Sequence, residues 1–294
     1  MIDPDISRGT AMFSDVLLTV DYDRTLTAPD STIPRRNLEA IEYFIANGGS
    51  FTVNTGRSIP MSENSLIPNV PVNAPLLLYN GSAAYDSKTG RLTRYAPLPV
   101  DGSKMLSDLQ ARFPELHVEI QALDAHCLIR ENAAWERFCE HNRCRWRYVT
   151  PDTVPQPFIK ASLYGQFHKN TVADMYNATP QELDLFDRAI RYVEETYGDQ
   201  VQVFRACARI ADIHARGVSK MASARLLQQE LGKKILVCVG DAENDITMLD
   251  GADYAFCPAD GIVADRYPNV CNCADGAIAD VIFEKIPAIV QKQP

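Results

Sequence analysis

The run Val16-Leu17-Leu18-Thr19-Val20-Asp21-Tyr22-Asp23-Arg24-Thr25-Leu26 decides how the rest of the 294-residue chain is read. Its apolar, β-branched start predicts a strand buried on both faces, and it stops at two aspartates. Side chains two apart on an extended chain point the same way, so Asp21 and Asp23 converge just past the strand's C-terminal edge. Ligands of open α/β sheets bind at that edge. An acidic turn is the plainer reading, since Asp is a common turn residue. What the rest of the chain brings to the pair decides between the two.

Downstream, Pro34 suits a first helical turn with Ser31 or Thr32 as its cap, and Leu38, Ile41 and Ile45 recur at helical spacing until Gly48-Gly49. A second strand is expected over 50–53, ending in Asn54-Thr55-Gly56-Arg57, and a third over 76–79, ending in Asn80-Gly81. Strand, helix, strand, connection, strand opens a doubly wound, mostly parallel, Rossmann-like sheet. After Gly81 the texture changes. Residues 83–86 and 91–95 read as a hairpin around Ser87–Gly90, and helices near 101–113, 132–142 and 180–197 follow. Between them, segments such as 116–121 and 125–130 are joined so briefly that they must pair antiparallel. The parallel pattern returns with a helix over 218–231, a strand over 234–239 ending in Gly240-Asp241, a helical 242–249, a strand over 254–257 and a closing helix over 275–291. The expected architecture is an α/β core of residues 1–84 and 210–294, with residues 85–209 inserted as an α+β domain.

The net charge of −9 argues against nucleic acid or an anionic membrane as a partner. No apolar run approaches the roughly 20 residues that span a bilayer. The first fifteen residues, with Asp3, Asp5, Arg8 and Asp15, lack the apolar stretch of a signal peptide, so a cytoplasmic protein is expected. The eight cysteines include no C-x-x-C pair, which argues against a paired zinc-finger site. Cys271-Asn-Cys273 could hold a soft metal, but reduced thiols without one are the expectation.

Four predicted strand ends carry polar residues: Asp21 and Asp23, Thr55, Asn80, and Asp241 followed by Asn244 and Asp245. Lys220 lies in a first helical turn, where backbone N–H groups also favour an anion. Gathering carboxylates in a partly dry site costs on the order of 4 kcal/mol for a bare pair about 4 Å apart, which a divalent cation and a lysine would offset. Oxygen ligands without His or Cys point to Mg²⁺ sharing its shell with a substrate phosphate. A carboxylate can take a phosphoryl group, and a second carboxyl can protonate the leaving oxygen and then activate water.

Asp21-x-Asp23-x-Thr25-Leu26, Thr55-Gly56-Arg57, Gly217-Val-Ser-Lys220 and Gly240-Asp241-x-x-Asn244-Asp245-x-x-Met248-Leu249 together resemble the haloacid dehalogenase (HAD) superfamily, more narrowly its Cof-type phosphatases with a type IIB cap. The resemblance implies that Asp21 is the nucleophile and Asp23 the acid/base. It implies Mg²⁺ on Asp21, the backbone carbonyl of Asp23, Asp241 and, through water, Asp245. Thr55, with Gly56, and Lys220 would hold the phosphoryl oxygens, Asn244 would orient its neighbours, and Asn80 would sit beneath the cap.

The implied activity is hydrolysis of a small phosphorylated metabolite, a sugar phosphate above others, by a monomer or weak homo-oligomer. A phosphomutase of the same superfamily and a non-catalytic phosphometabolite-binding regulator are the alternatives. The family's usual glycine after the second aspartate is Arg24 here, which is expected to face solvent. Arg143, Arg145 and Arg147 alternate along a predicted cap strand, and a solvated face beside acidic neighbours is expected rather than an anion-recognition face. His214 is expected to be a structural hydrogen-bonding residue.

Overall fold

The computed structural model describes residues 12–165 and 177–292. Its strands are β1 (Val16–Val20), β2 (Ser50–Val53), β3 (Leu76–Leu78), β4 (Ala83–Asp86), β5 (Arg91–Tyr95), β6 (His117–Gln121) and β7 (His126–Leu128). They continue with β8 (Trp146–Tyr148), β9 (Lys160–Tyr164), β10 (Val201–Cys207), β11 (Ile210–Ala215), β12 (Ile235–Val239), β13 (Tyr254–Pro258) and β14 (Asn269–Val270).

The first sheet has the order β14-β13-β12-β1-β2, and all its pairings are parallel. A parallel bridge from Asn54 to Leu77 leads on to the antiparallel trio β3-β4-β5. β1, β2 and β12 are buried at every position, as strands covered on both faces must be. Alternate residues divide the core. Leu18, Val20, Phe51 and Val237 face the helix Arg35–Ala46 and the C-terminal segment, while Leu17, Leu236 and Cys238 face the helix Lys220–Glu230 and Met248. The doubly wound α/β architecture is therefore present.

The remaining strands form a second sheet of order β10-β11-β9-β6-β7-β8, in which β6 and β7 pair antiparallel as their short connection requires. The helices Gly102–Arg112 and Pro180–Tyr197 pack on it through a cluster running from Leu98 to Ile213. Both expected domain limits fall inside hydrogen-bonded structure: 84/85 cuts β4, and 209/210 cuts the hairpin of β10 and β11. The change in sequence texture marked where the pattern alters, and strand pairing carries each sheet a few residues further.

Two helix readings are corrected. The helix Arg35–Ala46 has Pro34 at its N-cap and no side-chain cap. Thr32 Oγ1 is instead bound to Asp30 Oδ1 at 2.6 Å, a local turn that competes with capping. The closing segment is not one α-helix: a 3₁₀ turn (Cys273–Asp275), an α turn (Ala277–Asp280), a π turn (Val281–Lys285) and a last α turn (Ile286–Val290) follow one another. Pro287 has no N–H to give the preceding turn, so the regular ladder cannot continue through it. Among the described residues no helix is long and apolar enough to cross a membrane.

Candidate active site

Parallel strands put their C-terminal ends at one edge, and Val20 stands level with Val53 and Val239. The residues that follow β1, β2 and β12 therefore meet. The Asp21 N–H donates to the Val239 carbonyl at 2.9 Å, and the Asn54 N–H to the Val20 carbonyl at 2.8 Å. Lys220, capped by Ser219 at the start of its helix, is buried rather than solvated. Its Nζ lies 2.6 Å from Asp21 Oδ1 and 2.6 Å from Asp245 Oδ1. Asp245 Oδ2 accepts from the N–H groups of Asp241 and Ala242 at 3.0 and 3.2 Å. Thr25 Oγ1 donates to Asp241 Oδ1 at 2.9 Å. A Cβ on Gly240 would lie 2.6 Å from the Cβ of Asp245, so the backbone here can pass only as glycine.

One oxygen from each of Asp21, Asp241 and Asp245 lies within 4.8 Å of the others. Burial raises Asp21 well above the usual carboxylate range, Lys220 opposes this, and the neighbouring Asp245, Asp241 and Asp23 add to it. Burial and Asp245 push Asp241 up to about 7. For Lys220 burial acts downward, but Asp21 and Asp245 outweigh it and raise the ammonium above its ordinary value. Three buried carboxyls against one lysine leave negative charge to be balanced, and their oxygens suit a hard divalent cation. The residues fit Mg²⁺.

Asp23 is apart from this cluster. Its carboxylate is held by Arg57 Nε and Nη2 at 2.8 and 2.7 Å, and the guanidinium lies 4.8 Å over the ring of Tyr22. Thr55 is buried, and its Oγ1 accepts from the Arg57 N–H at 3.2 Å. Asn80, at φ 55°, donates to Asp212 Oδ2 at 3.0 Å and meets His214 Nε2 at 3.2 Å. Asp23, Arg24, Gly56, Asn80 and Asn244 line one cavity of about 290 Å³ with Asp21, Thr55, Lys220 and Asp241. Gly56 passes so close to Asn80 that a Cβ would be 2.9 Å from Oδ1.

All nine expected site residues thus border one cavity or its carboxylate cluster. Arg24, expected in solvent, is half-buried on the cavity wall at φ 60°, a left-handed conformation. His214 is buried, with Nδ1 2.9 Å from Ser82 Oγ, as a structural residue would be. The row of three cap arginines does not form. β8 begins at Trp146, and Arg143 precedes it at φ 51°. Arg145 pairs with Glu63 and Arg147 with Asp124, which is the solvated, acid-neighboured arrangement.

The sequence profile of the haloacid dehalogenase-like hydrolases matches residues 18–266, from β1 past the last of the clustered aspartates. The chain belongs to that family. Among curated relatives, this HAD-like hydrolase is 23% identical over 245 residues to a putative phosphatase of Streptococcus pyogenes serotype M6, covering 80% of this chain and 83% of that one. Its fold is shared with a haloacid dehalogenase-like hydrolase from Bacteroides thetaiotaomicron at TM-score 0.74 and 16% identity, over 90% of this chain and 97% of that one. It is also shared with the HAD subclass IIB sugar phosphatase BT4131, at TM-score 0.70 and 16% identity over the same shares of each chain.

Three residues at the HAD site were named in the sequence but given no role there: Arg57, Thr25 and the cap candidate Lys160. Arg57 stood in a quoted motif without a role, and nothing in the spacing pointed to its grip on Asp23. Lys160 Nζ reaches Asp212 Oδ2 at 3.0 Å from a neighbouring strand, a contact no local pattern encodes. Thr25 was the legible one, since it lies two residues past Asp23 in the same turn.

Proposed function

We propose that this HAD-like hydrolase is an Mg²⁺-dependent phosphatase of a small phosphorylated metabolite, a sugar phosphate in the first instance. The observation that carries this reading is the buried set Asp21, Asp241, Asp245 and Lys220 at the floor of a cavity of about 290 Å³. That volume is at the small end of ligand pockets. In the proposed reaction an Asp21 oxygen attacks phosphorus, the bond to the leaving oxygen breaks, and Asp23 gives that oxygen a proton. Asp23, now a carboxylate, takes a proton from water as it attacks the aspartyl phosphate, restoring Asp21 and releasing phosphate. Mg²⁺ on Asp21, Asp241, Asp245 and the Asp23 carbonyl would supply positive charge to the phosphoryl oxygens. Lys220 and Thr55 hold those oxygens from the protein side, and Arg57 steadies Asp23 between its two duties.

The insert, taken as about residues 97–216, serves as the cap that closes over the substrate, and the protein acts in the cytoplasm as a monomer or weak homo-oligomer. Phosphate release from p-nitrophenyl phosphate and a panel of phosphorylated sugars, in EDTA and after Mg²⁺ is restored, tests the proposal. Activity that returns only with Mg²⁺ is expected. Full turnover by demonstrably metal-free protein overturns it.

A further inference from the structure

A second group of metal-binding side chains lies in the insert, apart from the carboxylates. A ring nitrogen of His126 on β7 and the sulfurs of Cys139 and Cys144 are within 4.8 Å of one another, and all three residues are buried. Both cysteines are free thiols. Cys139 belongs to the last turn of the helix Ala133–His141, and Cys144 follows in a C-x₄-C spacing. Paired zinc-ligating cysteines typically have about two to four residues between them.

The turn between them is unusual. Arg143 takes φ 51°, a left-handed conformation that strains a non-glycine residue, and the Cys144 N–H donates to the Cys139 carbonyl at 2.9 Å. The effect of that turn is to fold the second thiol back beside the first. His126 is fixed on both sides, Nδ1 by the buried Glu119 carboxylate and Nε2 by Ser58 Oγ at 2.6 Å. A carboxylate behind the imidazole is the usual outer partner of a metal-ligating histidine.

We propose that Cys139, Cys144 and His126 form a structural site for a borderline-soft divalent cation such as Zn²⁺. Two thiolates neutralise the ion in a pocket otherwise walled by Leu128, Trp135 and Met61. Bonds of about 2.3 Å to sulfur and about 2.0 Å to nitrogen place tetrahedral ligand atoms roughly 3.5–3.8 Å apart, a modest closure of the present group. Whichever ring nitrogen turns to the ion releases an oxygen partner, from Ser58 or Glu119, that already stands beside it. That oxygen completes four ligands. Binding expels the two thiol protons, so affinity falls as pH falls. The hard-cation site at Asp21 offers no sulfur, and the two sites are selective for different ions. The ion would tie β7, the helix and the approach to β8 together behind Phe138, which lines the substrate cavity.

Cobalt provides the test, because sulfur-to-cobalt charge transfer needs a thiolate and the aspartate site cannot produce it. Full-length protein, reduced and stripped with chelator, is titrated with Co²⁺. Charge-transfer absorption and tetrahedral visible bands should saturate at one ion per chain and disappear on adding Zn²⁺. They should persist in Asp241→Asn and Cys207→Ser and be lost in Cys139→Ser and Cys144→Ser. Absence of the bands in reduced wild-type protein overturns the proposal, whatever the folding of the variants. So does their survival in both serine variants.

Discussion

Asp21 is buried against Lys220, whereas Asp23 leaves 49% of its side chain exposed and is held by Arg57. Their substitutions should part accordingly. Asp21→Asn removes the attacking charge and should abolish turnover of every substrate. Asp23→Asn should slow sugar-phosphate hydrolysis by about 10²–10⁴-fold, the usual value of general acid–base assistance. With p-nitrophenyl phosphate the leaving group needs no proton, so a burst of p-nitrophenol followed by slow turnover is expected. Wild-type turnover by Asp21→Asn, with loss of both substrates in Asp23→Asn, would reverse the roles. Arg24 holds φ 60° without being glycine. Arg24→Gly should relieve that strain and raise stability by up to about 1 kcal/mol, less the entropy glycine adds to the unfolded chain. A lower melting temperature would show that the Arg24 side chain holds the turn. The carboxylates and Lys220 were legible because each follows a strand end or opens a helix. Arg57 was not, because its partner is fixed by the turn after β1, 34 residues earlier in the chain.

β11 carries Asp212 and His214 on one face of the strand, and both are buried. Burial drives His214 down to about 3; Asp212 works against this and Lys160 reinforces it. The unfolded chain takes up that proton near pH 6.5, which the folded protein refuses. The His214 contribution to stability is therefore whole above about pH 6.5 and falls by about 1.4 kcal/mol per unit as pH drops towards 3. Between about pH 7 and about pH 5 the wild type should lose roughly 2 kcal/mol more stability to urea than His214→Gln does, whatever the raised Asp21 and Asp241 contribute to both proteins. An unchanged slope in the variant would assign the acid sensitivity elsewhere. Most elements could be read from periodicity, including the helix Pro180–Tyr197 and the hairpin of β4 and β5. The failures have local causes. Pro287 breaks the last helix, and the left-handed Arg143 delays β8, so alternation of Arg and apolar residues over 143–148 imitated a strand.

Across the whole molecule, polar contacts join the two sheets' units. Ser58 meets His126, Asn64 Nδ2 donates to the Arg143 carbonyl at 3.1 Å, Asn80 holds Asp212, and Arg145 pairs with Glu63. The Arg145–Glu63 pair is partly solvent-exposed and is worth about 0–1 kcal/mol. Apolar contacts join them too, Ile159 and Leu123 with the core cluster and Met61 with Leu128 and Trp135, and relative motion is the expectation unless such an interface is large and apolar. Small-angle scattering should therefore give a smaller radius of gyration with a phosphate analogue than without it, and limited proteolysis of the two crossings should slow. Identical scattering and cleavage in both states would mean that the cap does not open.

The reacting groups hang from the middle of a parallel sheet, and this has a consequence for how the enzyme fails. The amide of Asp21 is tied to β12 and that of Asn54 to β1. Neither proton can reach solvent until those strands part, so both should be among the slowest to exchange for deuterium, at the free energy of global unfolding. Warming should then extinguish activity and the cooperative unfolding signal along one curve, since this centre cannot melt ahead of its scaffold.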